Sequence, residues 1–283
     1  QVKGLTVASR NASDGISLAQ TTEGALGKIG DMLQRMRELA VQSGNASNSK
    51  TDRKALQAEL KQLRDEVDRV AKTTSFNGQK VLDGSFTGAV FQVGANSGDN
   101  ITVGALANTK VDKLGKSMYG TTGVTSLSAS NVSGAAVTGT ITITVKGANN
   151  TTGISSTLAA DSNRTEEEAL GQILAEINVK SADTGVTAFL EKDGSKYTIS
   201  YRSTSDTAGT VAVAAITVAG ASTVLNGALT VGTSSITAAA AVGIDKVDIG
   251  TQAGAWEALQ RIDSALDKVS SARAELGAIQ TRF

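Results

Sequence analysis

Leu5, Ala12, Ala19, Leu26, Leu33 and Ala40 recur every seven residues near the start of the chain, and Leu259, Ile262, Leu266, Val269, Leu276 and Phe283 follow three-four spacing near its end. Such spacing lines residues up along one stripe of an α-helix. A helix with a narrow apolar stripe cannot bury it alone. The two end segments are therefore expected to pack side by side as an antiparallel, coiled-coil-like bundle, with the intervening chain inserted at its far end.

A second line, Ala8, Ile16, Ile29 and Met36, extends the first predicted helix over about residues 1–43, and Gly44-Asn45 supplies a stop. Several positions on this helix are small. Ala12, Ala19 and Ala40 allow close helix approach, whereas Gly4, Gly15, Gly24, Gly27 and Gly30 each cost about 1 kcal/mol of helix propensity relative to Ala. The helix should thus depend on its neighbours. Ser49 or Thr51 can cap a second helix with the stripe Leu56, Leu60, Leu63, Val67 and Val70. On its outer face Lys61 with Asp65, Arg64 with Asp68 and Asp65 with Arg69 are candidate ion pairs on a solvated surface.

Strand signals follow. Phe76-Asn77-Gly78-Gln79 carries a type I′ hairpin dipeptide, Asp83-Gly84 marks a turn, and 89–93 and 101–103 read as short strands around a Gly/Asn/Ser loop. From about 104 to 248 the chain is rich in Ala, Gly, Ser and Thr. Ile141, Ile143 and Val145 alternate with polar residues as a strand, and Thr165 with Glu168 forms a capping box before an amphipathic helix bearing Leu170, Ile173, Leu174 and Ile177. Residues 186–191 and 196–202 flank Asp193-Gly194 as a hairpin, 211–218 adds a strand, and 234–243 gives no readable pattern. The fold class expected is a mainly α rod with small β-hairpins plus an inserted α+β domain. Residues 1–103 and 249–283 would form the rod, and 104–248 the insertion.

The chemistry available is narrow. The 283 residues contain no Cys and no His, which removes thiol nucleophiles, disulfides, imidazole bases and the commonest zinc ligands. No carboxylate pair stands beside a nucleophile in a recognisable arrangement. Glu166-Glu167-Glu168 reads as the acidic first turn of a helix rather than a metal site. Gly94-Ala95-Asn96-Ser97-Gly98 lacks the Lys-Ser or Lys-Thr of a phosphate loop. No catalytic residue, cofactor or metal site is therefore expected, and an enzyme is the weakest reading. Pro is absent too, which suits long uninterrupted helices. Lys+Arg and Asp+Glu both number 27, so charge gives no case for a nucleic acid or membrane partner. No apolar run is long enough for a transmembrane helix, and no secretory signal pattern begins the chain. The helical pattern is already running at Val2, and Phe283 carries the last seam without a stop signal, so the chain is expected to be the body of a longer protein.

Residues 11–26, Asn-Ala-Ser-Asp-Gly-Ile-Ser-Leu-Ala-Gln-Thr-Thr-Glu-Gly-Ala-Leu, and 33–43, Leu-Gln-Arg-Met-Arg-Glu-Leu-Ala-Val-Gln-Ser, resemble bacterial flagellin. So do Phe76-Asn77-Gly78, Val81-Leu82-Asp83-Gly84, Phe91-Gln92-Val93-Gly94 and residues 265–278. The resemblance covers about half the chain, at both ends and in order. Residues 141–202 resemble more weakly the insertion motif of flagellins and hook-associated proteins, with Ile177-Asn178 at its characteristic dipeptide. In flagellins the conserved ends form the rod and the variable middle forms outer domains. The resemblance thus implies a filament subunit that polymerises with other flagellin subunits, with channel-lining helices outside residues 1–283 and a hook–filament junction protein as the alternative. It also implies an extracellular place in the filament, export through the flagellar type III apparatus without a cleaved signal peptide, and an export chaperone and a cap as partners. The metalloprotease motif of some flagellins needs two His and has no counterpart here. Ser and Thr in 121–157 and 203–237 are candidate O-glycan carriers, as in the outer domains of some flagellins.

The resemblance further implies recognition by Toll-like receptor 5, with matches at Gln34, Arg35, Leu39 and Glu59. With Leu33 and Met36 as the a and d positions of the heptad, Gln34, Arg35 and Glu38 point away from the seam, while Arg37 and Leu39 flank it. An exposed Arg beside an apolar residue makes a binding anchor. Gln34, Arg35, Arg37, Glu38, Leu39 and Glu59 are therefore the candidate receptor-binding or subunit-binding residues.

Overall fold

The computed structural model describes residues 2–96, 98–121, 125–128, 141–147, 150–158, 166–193, 196–205, 216–219, 237–238 and 242–283. In chain order these form α1 (Val2–Gly44), α2 (Lys50–Thr73), β1 (Ser75–Phe76), β2 (Gln79–Lys80), β3 (Ala89–Gln92) and β4 (Asn100–Val103). Then come β5 (Met118–Thr121), β6 (Thr125–Ser128), β7 (Ile141–Gly147), β8 (Asn150–Leu158), α3 (Glu166–Val179) and α4 (Ser181–Thr184). The chain continues through β9 (Val186–Asp193), β10 (Lys196–Ser205), β11 (Ile216–Ala219) and β12 (Thr237–Ala238), and returns as α5 (Gln252–Arg282). Two compact units result: Gln1–Lys116 with Val242–Phe283, and Ser117–Ala241.

The first unit is a helical rod. Its 43-residue α1 is about 65 Å long at 1.5 Å per residue. Helix α5 runs antiparallel to it: Gln252 reaches the Gly44 carbonyl, Arg37 meets Asp263, Glu23 accepts from Gln280, and Phe283 lies against Gly15. Along α1 the buried positions are Ala19, Leu26, Leu33 and Ala40 at one heptad position and Ala8, Gly15, Thr22, Ile29, Met36 and Ser43 at another. Leu18, Ala25 and Leu39 fill a third. Three buried positions per heptad, rather than two, are needed because α1 faces both α5 and α2.

The facing stripes of α5 are Ala255, Ile262, Val269 and Leu276, and Ala258, Ala265 and Ala272. The expected Leu259, Leu266 and Phe283 are only half-buried at the margins. The alanine row lets the helix backbones approach. At the other end the α1 seam fades. Leu5 is 56% exposed and Ala12 half-buried, because α5 meets α1 only as far as Gly15.

Helix α2 begins at a capping box, with Ser49 rather than Thr51 as the cap. Ser49 Oγ accepts from Asp52 N–H at 3.2 Å, and the Asp52 carboxylate accepts from Ser49 N–H at 3.0 Å. The outer ion pairs differ from those expected by spacing. Arg64 bonds Asp65, Arg69 bonds Glu66 and Lys72 bonds Asp68, each acid having several cations in reach. After α2, Asn77 (φ 49°) and Gly78 (φ 80°) make the I′ turn that joins β1 to β2. Strands β3 and β4 form an antiparallel pair fixed to α1, where Asn11 Nδ2 donates to the Gln92 carbonyl at 2.9 Å, and to the end of α5, where Phe91 stacks edge-on against Phe283.

Residues 104–116 and 242–248, expected in the inserted segment, lie in the rod unit. Apart from one 3-10 turn at Ile244–Lys246 they are irregular, but they bury Leu114, Ile244 and Val247. Long-range hydrogen bonds hold them: Thr109 N–H to Leu82 O at 2.9 Å, Ile244 N–H to Leu114 O at 3.0 Å, and Arg64 Nη1 to Asp245 O at 3.1 Å. Gly115, at φ 63°, passes so close to α5 that a Cβ there would stand 2.3 Å from the Arg261 carbonyl oxygen.

In the second unit β10 is central. It pairs antiparallel with β9 along its length and with β6 and β5 on two successive stretches, and β12 pairs β5. A second sheet has the order β11-β7-β8. Helix α3 buries Ile173 and Ile177. The Asn178 amide mimics a strand neighbour, accepting from Ala188 N–H at 2.8 Å and donating to Ala188 O at 3.0 Å. That is a physical use for the Ile177-Asn178 dipeptide. The Thr165 cap, the Gly194 turn position, residues 211–215 and most of 234–243 lie outside the described residues.

Three predictions follow from the rod. Gly115→Ala, which adds a Cβ at a positive φ and against backbone, should cost about 1–3 kcal/mol in urea denaturation. Gly27→Ala, in helix with open space around it, should stabilise by about 0.5–1 kcal/mol. Hydrogen bonds from Ser49 Oγ, then its N–H, hold the Asp52 carboxyl below its ordinary 3.8. The contribution of this depressed group is present above that value and lost as pH falls through the lower folded one. The stability gap between the natural chain and Asp52→Ala should therefore shrink on acidification, as read by circular dichroism at stepped pH.

Candidate functional site

Helix α1 places Arg35 and Arg37 on either side of the fully buried Met36. One residue is about 100° of helix, so the two guanidinium groups diverge towards different neighbours. Arg35 reaches α2, where Nε and Nη2 donate to Glu59 Oε1 at 3.0 and 2.8 Å, and Nη1 donates to Glu38 Oε2 at 2.8 Å. Arg37 reaches α5, where Nε donates to Asp263 Oδ1 at 2.7 Å. All five side chains remain 44–66% exposed. The pairs fix side-chain positions on a wet surface rather than supplying core stability.

The hydrogen bond to Glu38, followed by that to Glu59, raises the Arg35 pKa above its usual value, and the bond to Asp263 does the same for Arg37. Both groups are guanidinium cations at neutral pH in any case, and these bonds reinforce that charge. Gln34 is exposed next to Arg35. Gln34, Arg35, Glu38 and Glu59 thus form one outward patch across α1 and α2, with Arg37 on the opposite flank of Met36.

Leu39 is different. It is 1% exposed and belongs to the core, since the third buried position of each heptad is taken up by the α1–α2 contact. It cannot serve as the exposed apolar anchor and instead supports the patch from beneath. Asp263 was missed by sequence reasoning, although an acid directly after the seam residue Ile262 is the kind of flanking charge that pairs across coiled coils. Among the described residues no group of three or more His, Cys, Asp or Glu side chains could hold a metal ion, and no helix is long and apolar enough to cross a membrane.

Residues 1–87 match the family model of the bacterial flagellin N-terminal helical region. Over 283 residues the chain is 35% identical to Flagellin C of Vibrio cholerae, spanning all of this chain and 69% of that protein. The chain belongs to the flagellin family. Flagellin D of Vibrio anguillarum is 36% identical over 284 residues, again spanning 100% of this chain and 69% of the relative. A structure of FliC from Burkholderia pseudomallei superposes with a TM-score of 0.52 at 26% identity, covering 95% of this chain and 100% of that one.

This flagellin is a structural subunit of the bacterial flagellar filament, and its place is the flagellum. The hook-junction alternative has less support, since the end-to-end identity is to filament flagellins. A filament subunit needs surfaces that contact other flagellin subunits, and exposed, ordered charge is suited to specifying such contacts.

The Arg37–Asp263 bridge gives a test of how α1 and α5 are registered. Asp263→Lys should lower the thermal midpoint at low salt, and Arg37→Asp in the same chain should recover most of the loss. The recovery should diminish in concentrated NaCl, where exposed charges are screened.

Proposed function

We propose that the patch Gln34, Arg35, Glu38 and Glu59 is recognised by Toll-like receptor 5 on free subunits, and that in the filament it contacts neighbouring flagellin subunits together with Arg37. The observation carrying this reading is that Arg35 donates through Nε and Nη2 to one oxygen of Glu59, with a third bond to Glu38, on a half-exposed surface. Three hydrogen bonds hold the guanidinium in one orientation before any partner arrives, which lowers the entropy lost on binding. An oriented Arg with flanking acceptors is a hot-spot arrangement. The buried Leu39 keeps the helix face beneath it rigid.

Such a surface is available to a receptor only when subunits are apart, so recognition and polymerisation compete for the same residues. The family relationship also supports export through the flagellar type III apparatus without a cleaved signal peptide, with an export chaperone and the filament cap as partners. The inserted unit Ser117–Ala241 takes the role of the variable outer domain, and the rod that of the conserved subunit body. Its chemistry is structural rather than enzymatic.

Arg35→Ala should sharply reduce receptor signalling in a reporter-cell assay while leaving the helical circular-dichroism signal unchanged. Glu59→Ala should reduce signalling less, because Glu38 still orients the arginine. Unchanged signalling from Arg35→Ala would remove the patch as the receptor surface.

A further inference from the structure

A groove of about 250 Å³ opens on the rod where residues 104–107 cross α1 and α5, lined chiefly by Leu26, Leu82, Leu106, Leu276 and Ile279. It is smaller than the roughly 300–1,000 Å³ of small-molecule sites, and its size suits one or two side chains. Its polar capacity is small. Thr22 Oγ is committed to the Leu18 carbonyl at 2.8 Å. Glu275 stands exposed on the groove wall with no ion pair among the described residues. An apolar hole beside a free carboxylate fits an aliphatic side chain flanked by a cation.

The chain carries such a group elsewhere on the rod. The large apolar side chains exposed among the described residues are Val2, Leu5, Val7, Val41, Val90 and Val179. Only Val7 has cations at helical-neighbour spacing that are free of ion pairs, Lys3 four residues before it and Arg10 three after it, both exposed. Val41 lies near Arg37, which Asp263 already holds. Lys3, Val7 and Arg10 project from a different side of α1 from Gly4, Ala8 and Asn11, which face the β3–β4 pair and its loop.

We propose that the groove receives Val7 of a second copy of this chain, with that copy's Lys3 and Arg10 placed to meet Glu275. This goes beyond the subunit role by assigning residues to one subunit contact, and it uses none of the Arg35 patch. Donor ridge and acceptor groove are different surfaces of one molecule, so the contact is heterologous, the class that builds an open filament wherever its rotation does not close a ring. Along α1, Val7 and the groove residues Thr22 and Leu26 are roughly 25 Å apart at 1.5 Å per residue. Parallel copies joined this way are therefore staggered lengthwise by about that distance, which is the form of contact a helical filament requires.

Residues 1–283 contain no cysteine, so introduced thiols are the only ones on this part of the subunit. Cells producing the full-length flagellin as a mixture of Val7→Cys and Ala278→Cys forms should yield filaments that, on oxidation, give mixed disulfide dimers. Their yield should exceed by several-fold that from Val41→Cys mixed with Ala278→Cys. Glu275→Lys should lower the yield, and Lys3→Glu with Arg10→Glu on the Val7→Cys form should restore it. A second readout needs no cross-link: Glu275→Lys alone should leave more subunit unassembled, and adding Lys3→Glu and Arg10→Glu to the same chain should reverse this. Normal filaments with no excess of mixed dimer would overturn the contact while leaving the filament role standing. So would a charge-reversed chain that assembles no better than Glu275→Lys, or an Ala278→Cys that a soluble maleimide cannot label in the free monomer because another part of the same molecule fills the groove.

Discussion

The antiparallel contact between α1 and α5 governs the rest of this molecule, because it is made by segments more than two hundred residues apart in sequence. Closing so long a loop costs conformational entropy before any contact is gained. The return comes from Leu26, Ile29, Leu33 and Met36 on one side and Ile262, Val269 and Leu276 on the other, all at 2% exposure or less. Truncating a buried Leu or Met of this kind to Ala typically costs about 2–5 kcal/mol. The exposed Arg37–Asp263 bridge and the half-buried Glu23–Gln280 hydrogen bond align the two helices but cannot substitute for that burial.

Around this pair the irregular segments act as fasteners. Gln57 accepts from Ile249 N–H at 2.7 Å, Arg53 Nε donates to Ser43 O at 2.9 Å, and the buried Arg261 donates to Lys246 O at 3.2 Å. Gln57 and Arg261 join α2 and α5 to the 246–249 stretch, and Arg53 ties α2 to a last-turn carbonyl of α1, so backbone groups are satisfied where no ladder exists. The outgoing and returning chains are joined directly by Ile244 N–H to Leu114 O. The rod thus closes on itself before residue 117 and after residue 241. Sequence can vary in the insertion without disturbing the α1–α5 seam.

Local features were legible in the sequence. The Ser49 cap, one of two candidates, the Asn77-Gly78 turn, the α2 stripe and the β9–β10 hairpin are each decided by a few adjacent residues, and the structure has them. The paired seam was legible as well, since heptad spacing survives any choice of partner. Its width was not. A period shows that Leu33 and Met36 are inside, but only a third helix explains why Leu39 is buried too. Residues 104–116 and 242–248 gave no signal because tertiary hydrogen bonds and single apolar anchors, rather than a repeat, fix them. The family resemblance pointed to Arg35 and Glu59, and the structure adds the bond that joins them and the Asp263 partner of Arg37.

If closure of the two ends on each other is what makes the rod, the inserted unit should be dispensable for it. Replacing Ser117–Ala241 by a short Gly/Ser link between Lys116 and Val242 and recording circular dichroism with thermal melting tests this directly. The predicted result is a strongly helical chain that melts in one cooperative transition close to that of the parent rod. A chain that loses most of its helical signal, or melts without cooperativity, would contradict it.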